Sequence, residues 1–190
     1  MPASLLNCLQ AAGPIPEADQ ALILAAWQPR AVAEGETLTA AGHICQERFF
    51  IEEGILRIMV QQPSGKEVTH FFLKEGQLCT ILHSFENQVP AAETIQAACA
   101  AQVRAITRGR LEALYQQLPY LRTYVNAITQ KALLEKIQVR NAYLGQDSTT
   151  RYQQFLQRQP DIALRVPLAD VASYLGITQQ SLSRIRKNIR

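Results

Sequence analysis

No stretch of this sequence approaches the roughly eighteen consecutive apolar residues that a membrane-spanning helix requires. The opening residues, MPASLLNCLQAAGP, carry no basic segment and too short an apolar run for a secretion signal. A cytoplasmic location with no membrane partner is the expectation. Cysteine is scarce and scattered. Cys8, Cys45, Cys79 and Cys99 form no C-x-x-C pair, and no histidine stands at zinc-finger spacing. The thiols read as buried or incidental, so no metal site and no disulfides are expected. Charged residues make up only 18% of the chain while apolar ones reach 47%, which excludes a disordered or collagen-like polymer. The marks of an enzyme are missing as well. There is no Gly-rich phosphate loop, no Ser-His-Asp spacing and no paired-carboxylate motif. Glu52 and Glu53 are adjacent, so in a strand they face opposite sides.

What is present is a chain of 190 residues, enough for one sizeable domain or a moderate one with a small companion. Its net charge of +3 conceals an asymmetry. Residues 1–119 carry 8 Lys/Arg against 12 Asp/Glu, a net of −4, and residues 120–190 carry 11 against 4, a net of +7. A basic C-terminal third suits a polyanion, because neutralised phosphates release their counterions. A merely solvated basic face has the same composition.

Residues 4–12 and 17–28 read as short helices parted by Gly13, Pro14 and Pro16. From Arg30 to Arg108 the texture changes to short apolar runs: Phe49–Ile51, Ile55–Val60, Val68–Leu73 and Ile95–Ile106. Turn signals such as Ala41-Gly42, Glu53-Gly54 and Glu75-Gly76 separate them, which predicts a jelly roll. Gln61–Lys66 is the expected hairpin tip, with Pro63 and Gly65 supplying the turn dihedrals.

After Arg108 the pattern becomes helical. Pro119 suits a first turn, and Tyr120 to Leu144 runs without Pro or Gly. Leu121, Val125, Ile128 and Ala132 form a short seam at coiled-coil spacing, widened by Leu133, Leu134 and Ile137. Such a helix can pack on its own domain or meet a second copy, and spacing alone does not decide. Gly145–Ser148 then ends this helix and caps a short one over Arg151–Gln157, with Tyr152, Phe155 and Leu156 inward.

The sharpest signal lies at residues 167–187. Pro167 opens a helix whose inward face is Leu168, Val171 and Leu175; Ala172 leaves room for a crossing helix. Gly176 takes the position after the helix where a left-handed backbone costs little, and Ile177 plugs the turn. Thr178 caps a second helix from Gln179 to about Asn188, with Leu182 and Ile185 inward. That is a helix-turn-helix, whose second helix enters the major groove. Gln pairs with adenine and Arg with guanine, so Gln179, Gln180 and Arg184 are the candidate base readers. Thr178, Ser181, Ser183, Arg186, Lys187 and Arg190 are the candidate phosphate contacts. A plain amphipathic hairpin shares the apolar spacing but has no need of the cap, the turn glycine or the Arg/Gln outer face.

The run Val171–Thr178 followed by Ser181–Lys187 resembles the helix-turn-helix of the Crp/Fnr superfamily of transcription regulators, especially its short Bacteroidetes-type forms. Glu53–Arg57 and Gly65–Gly76 resemble strands of that family's cyclic-nucleotide-binding β-roll. The resemblance implies a mixed α+β chain: a double-stranded β-helix or jelly roll over 1–119, a dimerisation helix over 120–144 and a helix-turn-helix domain over 145–190. It also implies a homodimer on a palindromic DNA site, with RNA polymerase a candidate partner. Two departures stand out. Members that bind cyclic AMP carry a Gly-Glu pair and an Arg-Ser pair, for the ribose and the phosphate. Here Thr80-Ile81 and Ala91-Ala92 occupy those places, so no response to cyclic AMP is expected. These four residues mark a candidate pocket for another effector of unknown identity, unless Ile81, Leu82, Phe85 and Ile95 fill the space. Cys8 stands alone where iron–sulfur members cluster cysteines, and His43, His70 and His83 sit in no haem-ligand motif. The sequence also stops at Arg190, without the winged hairpin of larger members, from which a shallower salt dependence of DNA binding is expected. The competing reading is a sensing or protein-interaction roll with a vestigial DNA-binding region.

Overall fold

The computed structural model describes residues 3–189. Two short helices, α1 (Leu5–Gln10) and α2 (Glu17–Ala26), lead into eight strands. These are β1 (Gln28–Val32), β2 (Thr37–Thr39), β3 (Glu47–Glu53), β4 (Leu56–Gln61), β5 (Glu67–Leu73), β6 (Leu78–Cys79), β7 (Thr94–Ala97) and β8 (Ala101–Thr107). They form two four-stranded sheets, ordered β1-β8-β3-β6 and β2-β7-β4-β5. This is the jelly roll expected from the alternation of short strands and glycine turns. The run Ile95–Ile106, read as one strand, is two, because the chain crosses from one sheet to the other between Ala97 and Ala101.

Burial explains why the central strands look apolar throughout. β3 lies between β8 and β6, and Arg48 to Ile51 are all buried. In β4, Leu56 and Ile58 enter the roll's core while the intervening Arg57 points out of it, yet Arg57 is buried too. Gly54 (φ +97°) allows the tight step between β3 and β4, where a Cβ would overlap Ala101 and the carbonyl of Ala100. The hairpin tip falls where expected, with Gln61 and Glu67 as the last β4–β5 pair. Between β6 and β7 the chain forms α3 (Leu82–Asn87).

Helix α4 (Arg108–Gln117) is capped by the Thr107 hydroxyl, which accepts from the Arg110 amide at 3.3 Å. Helix α5 (Tyr120–Tyr143) follows, then α6 (Ser148–Arg158), α7 (Pro160–Arg165), α8 (Leu168–Leu175) and α9 (Gln179–Ile189). Asp147 caps α6 by accepting from the amides of Thr149 (2.9 Å) and Thr150 (3.1 Å). Helix α7, which the sequence pattern did not indicate, opens on Pro160 in its first turn.

The roll, α1, α2, α4 and the first turns of α5 share one core. A second core gathers Tyr152, Phe155, Ile162, Val171, Ala172, Leu175 and Leu182 from the C-terminal helices around Ile55, Phe72 and Ala98 of the roll. The C-terminal helices therefore rest on the outer face of the β2-β7-β4-β5 sheet.

Candidate nucleic-acid interface

Helices α8 and α9 build the helix-turn-helix from the residues upward. Val171, Ala172, Leu175 and Leu182 are buried where the two helices cross. Gly176 (φ +69°) turns the chain in the left-handed region. The Ile177 amide then returns to the Ala172 carbonyl at 3.0 Å. The Thr178 hydroxyl accepts from the Ser181 amide at 3.1 Å, capping α9. Pro167 lies one residue before α8 rather than in its first turn.

The solvent face of α9 presents Gln179, Gln180, Arg184, Arg186 and Lys187, all exposed. Among the described residues no side-chain hydrogen bond or ion pair engages Gln179, Gln180 or Arg184. Ser183 is half-buried and lines a shallow groove with Leu168, Arg186 and Lys187. Thr178 and Ser181 are exposed, with their hydroxyls 2.9 Å apart. Arg190 lies outside the described residues.

The inner face of α8 carries residues that the sequence pattern did not single out. Asp170 accepts from Nη1 of Arg57 at 2.7 Å. The same guanidinium donates to Glu67 at 2.7 Å, to Gln96 through Nε (2.8 Å) and Nη2 (2.6 Å), and to Thr69 at 3.4 Å. The Ser173 hydroxyl accepts from the Thr69 amide (2.8 Å) and donates to the Glu67 carbonyl (2.9 Å), so it pairs the free edge of β5. Phe72 and Tyr174 pack with ring centres 5.2 Å apart and their planes tilted by 58°. Arg165–Glu75 (2.6 Å) and Lys74–Asp161 (2.7 Å) complete the seat. The only signal in sequence was an Arg inside an apolar strand.

The predicted helix seam needs correction. Leu121 and Val125 are buried in the chain's own core, and Ile128 packs against that core, so this stripe faces the roll. Ala132 is half-buried on the same side. The apolar residues left in solvent are Leu133, Leu134 and Ile137, with Leu144 just beyond the helix. The seam spacing was right for a buried stripe; sequence could not say what buries it.

The four candidate effector residues do not share one space. Ile81 and Ala91 belong to the roll's core, Ala92 is exposed, and Thr80 donates to the Glu47 carbonyl at 3.1 Å. Phe85 and Ile95 are buried beside Ile81, whereas Leu82 reaches solvent. The cleft at Thr80, Arg48 and Thr129 measures about 80 Å³, against the roughly 300 Å³ or more of a typical ligand pocket. Arg48 there is engaged by Glu86 at 3.2 Å and lies over Phe85. These residues do not fit a cyclic nucleotide. His43, His70 and His83 are exposed, the last within 3.1 Å of Asn87. Burial pushes the Cys79 thiol up to about 12, and raises Cys8 and Cys99 as well. Among the described residues, no group of three or more His, Cys, Asp or Glu is placed to hold a metal, and no helix is long and apolar enough to cross a membrane.

With this geometry in place, comparison with known proteins defines the class of the roll. Residues 29–118 match the family model of the cyclic nucleotide-binding domain. Nearly the whole chain shares its fold with several solved structures. It is similar to the c-di-GMP-responsive global regulator CLP of Xanthomonas campestris, with 14% identity, a TM-score of 0.71, and 92% of this chain and 91% of that one covered. FixK2 from Bradyrhizobium japonicum aligns at 16% identity and a TM-score of 0.73, over 86% of this chain and 84% of that one. A protein assigned to the Crp/Fnr family from Eubacterium rectale gives 16%, 0.72, 92% and 83%. No curated protein matches the sequence.

Proposed function

We propose that the chain is a sequence-specific DNA-binding regulator of transcription that acts as a homodimer and does not respond to cyclic AMP. The observation that carries this reading is α9, anchored by buried Leu182 with Gln179, Gln180 and Arg184 exposed and uncommitted. In this reading the roll occupies 1–119, the dimer helix 120–144 and the DNA-binding domain 145–190. Gln179, Gln180 and Arg184 read base edges, while Thr178, Ser181, Ser183, Arg186, Lys187 and Arg190 hold phosphates. The net charge of +7 over residues 120–190 suits that partner. The described roles of the solved proteins that share the fold support the same assignment.

The test is enrichment of fragmented genomic DNA on the purified chain, followed by gel shift on the recovered site. Arg184→Ala should weaken binding by about 1–3 kcal/mol, roughly five- to 150-fold, and relax preference at one base pair per half-site. Failure to enrich any sequence, or an Arg184 variant that binds every sequence as tightly as before, overturns the reading.

A further inference from the structure

Among the described residues, the buried and half-buried cations that support the roll are paired with carboxylates. Arg48 has Glu86, Arg57 has Glu67 and Asp170, and Arg104 has Glu52. One place breaks that rule. Where β5, α5, α6 and α8 meet, a cleft of about 320 Å³ is lined by Lys136, Arg140 and Arg151, with Phe71, Tyr143 and Tyr174 as aromatic walls. His70 lies at its margin, and no Asp or Glu lines it among the described residues. None of the three permanent cations is within ion-pair reach of a described carboxylate.

Lys136 is half-buried, and its Nζ sits 5.0 Å from the centre of the Phe71 ring. Burial lowers the pKa of its ammonium. Arg151 is held by the Leu175 carbonyl at 2.6 Å and by Ser148 at 3.5 Å, while its Nε is buried without a hydrogen-bond partner. Like charges gathered in a half-buried cleft repel, and an unpaired buried donor is costly. An anion in the cleft relieves the repulsion among the three cations. Three cations favour a multiply charged anion over a monocarboxylate, and the ring walls favour an aromatic body.

We propose that this cleft, outside the roll's filled interior, binds a small phosphorylated aromatic molecule. It touches the roll, the long helix and the DNA-binding helices together, so its occupant bears on how the three sit. The proposal does not depend on whether α9 reads DNA.

Pyridoxal 5′-phosphate is a suitable probe, because its aldehyde condenses with a lysine amine, releasing water, and borohydride then reduces the imine to a stable adduct. Limited labelling of the full chain, mapped by peptide mass spectrometry, should modify Lys136 at least tenfold faster than Lys66 or Lys131. Millimolar pyrophosphate should suppress that labelling, and Arg140→Gln should reduce the preference several-fold while leaving the circular dichroism spectrum unchanged. Labelling of Lys136 no faster than that of Lys66, or no protection by pyrophosphate, overturns the site. Protection by duplex DNA but not by pyrophosphate also overturns it and assigns these cations to the DNA face. Gel shift on the same wild-type sample reports the DNA-binding function separately.

Discussion

Arg57 carries more of this molecule's architecture than its place in an apolar strand suggests. A guanidinium with 7% side-chain exposure is tolerable only if its donors are satisfied, and Asp170, Glu67, Gln96 and Thr69 satisfy them. Removing one member of a buried pair leaves the other uncompensated, so Arg57→Ala should cost about 3 kcal/mol. A cycle with Asp170→Ala, read from denaturant unfolding, should give a coupling of about 1 kcal/mol or more. Additivity would show that Asp170 is a bystander. Burial pushes the Asp170 carboxyl above its ordinary value, against the opposing pull of Arg57. The folded chain thus holds that proton more readily than the unfolded one. This contribution to stability is complete below the ordinary Asp value of 3.8 and is lost as pH rises through the folded value. Asp170→Asn should flatten the melting temperature across that window; a profile parallel to wild type counts against it. None of this was legible beforehand. The pair is separated by 113 positions, and Asp170 reads locally as an ordinary acid in a helix's first turn.

The long helix shows what an element's own pattern can and cannot decide. Apolar residues at Leu121, Val125 and Ile128 and again at Leu133, Leu134 and Ile137 cover two different faces, and periodicity assigns neither to a partner. The roll takes the first stripe. The second stays in solvent, with Leu134 61% exposed. If a second copy covers it, a charge there should break the dimer without unfolding the chain. Leu134→Glu with Ile137→Glu is expected to give a monomer by sedimentation equilibrium, with an unchanged melting profile at low concentration. Leu121→Ala should instead lose about 2–5 kcal/mol of stability, with no selective effect on association. The reverse pattern would return the interface to the seam read from spacing. Strand and turn positions fared better, because glycine and proline act locally: Gly54, Gly65 and Gly176 each take a positive φ at a turn read from sequence.

At the scale of the molecule, the roll and the helix-turn-helix were each legible, while the way one sits on the other was not. That seat depends on single contacts between distant segments, which leave no periodic trace: Ser173 on the β5 edge, Tyr174 on Phe72, Arg165 on Glu75. The seat holds α8 through Asp170, Ser173 and Tyr174, away from the residues that cross α9, so the proposed reading face stays exposed and the roll is expected to set its direction. A dimer that spans two half-sites about 34 Å apart depends on that direction, whereas a single half-site does not. Ser173→Ala removes two hydrogen bonds from the seat and touches no residue of the reading face. It should therefore weaken binding to a full palindrome about tenfold, a loss of roughly 1.4 kcal/mol. Affinity for one half-site should be nearly unchanged. Titrations of both duplexes with the same protein separate the causes. Equal losses on the two would mean that the substitution damages α9 itself, and no loss on either would mean that the helices keep their direction without the roll.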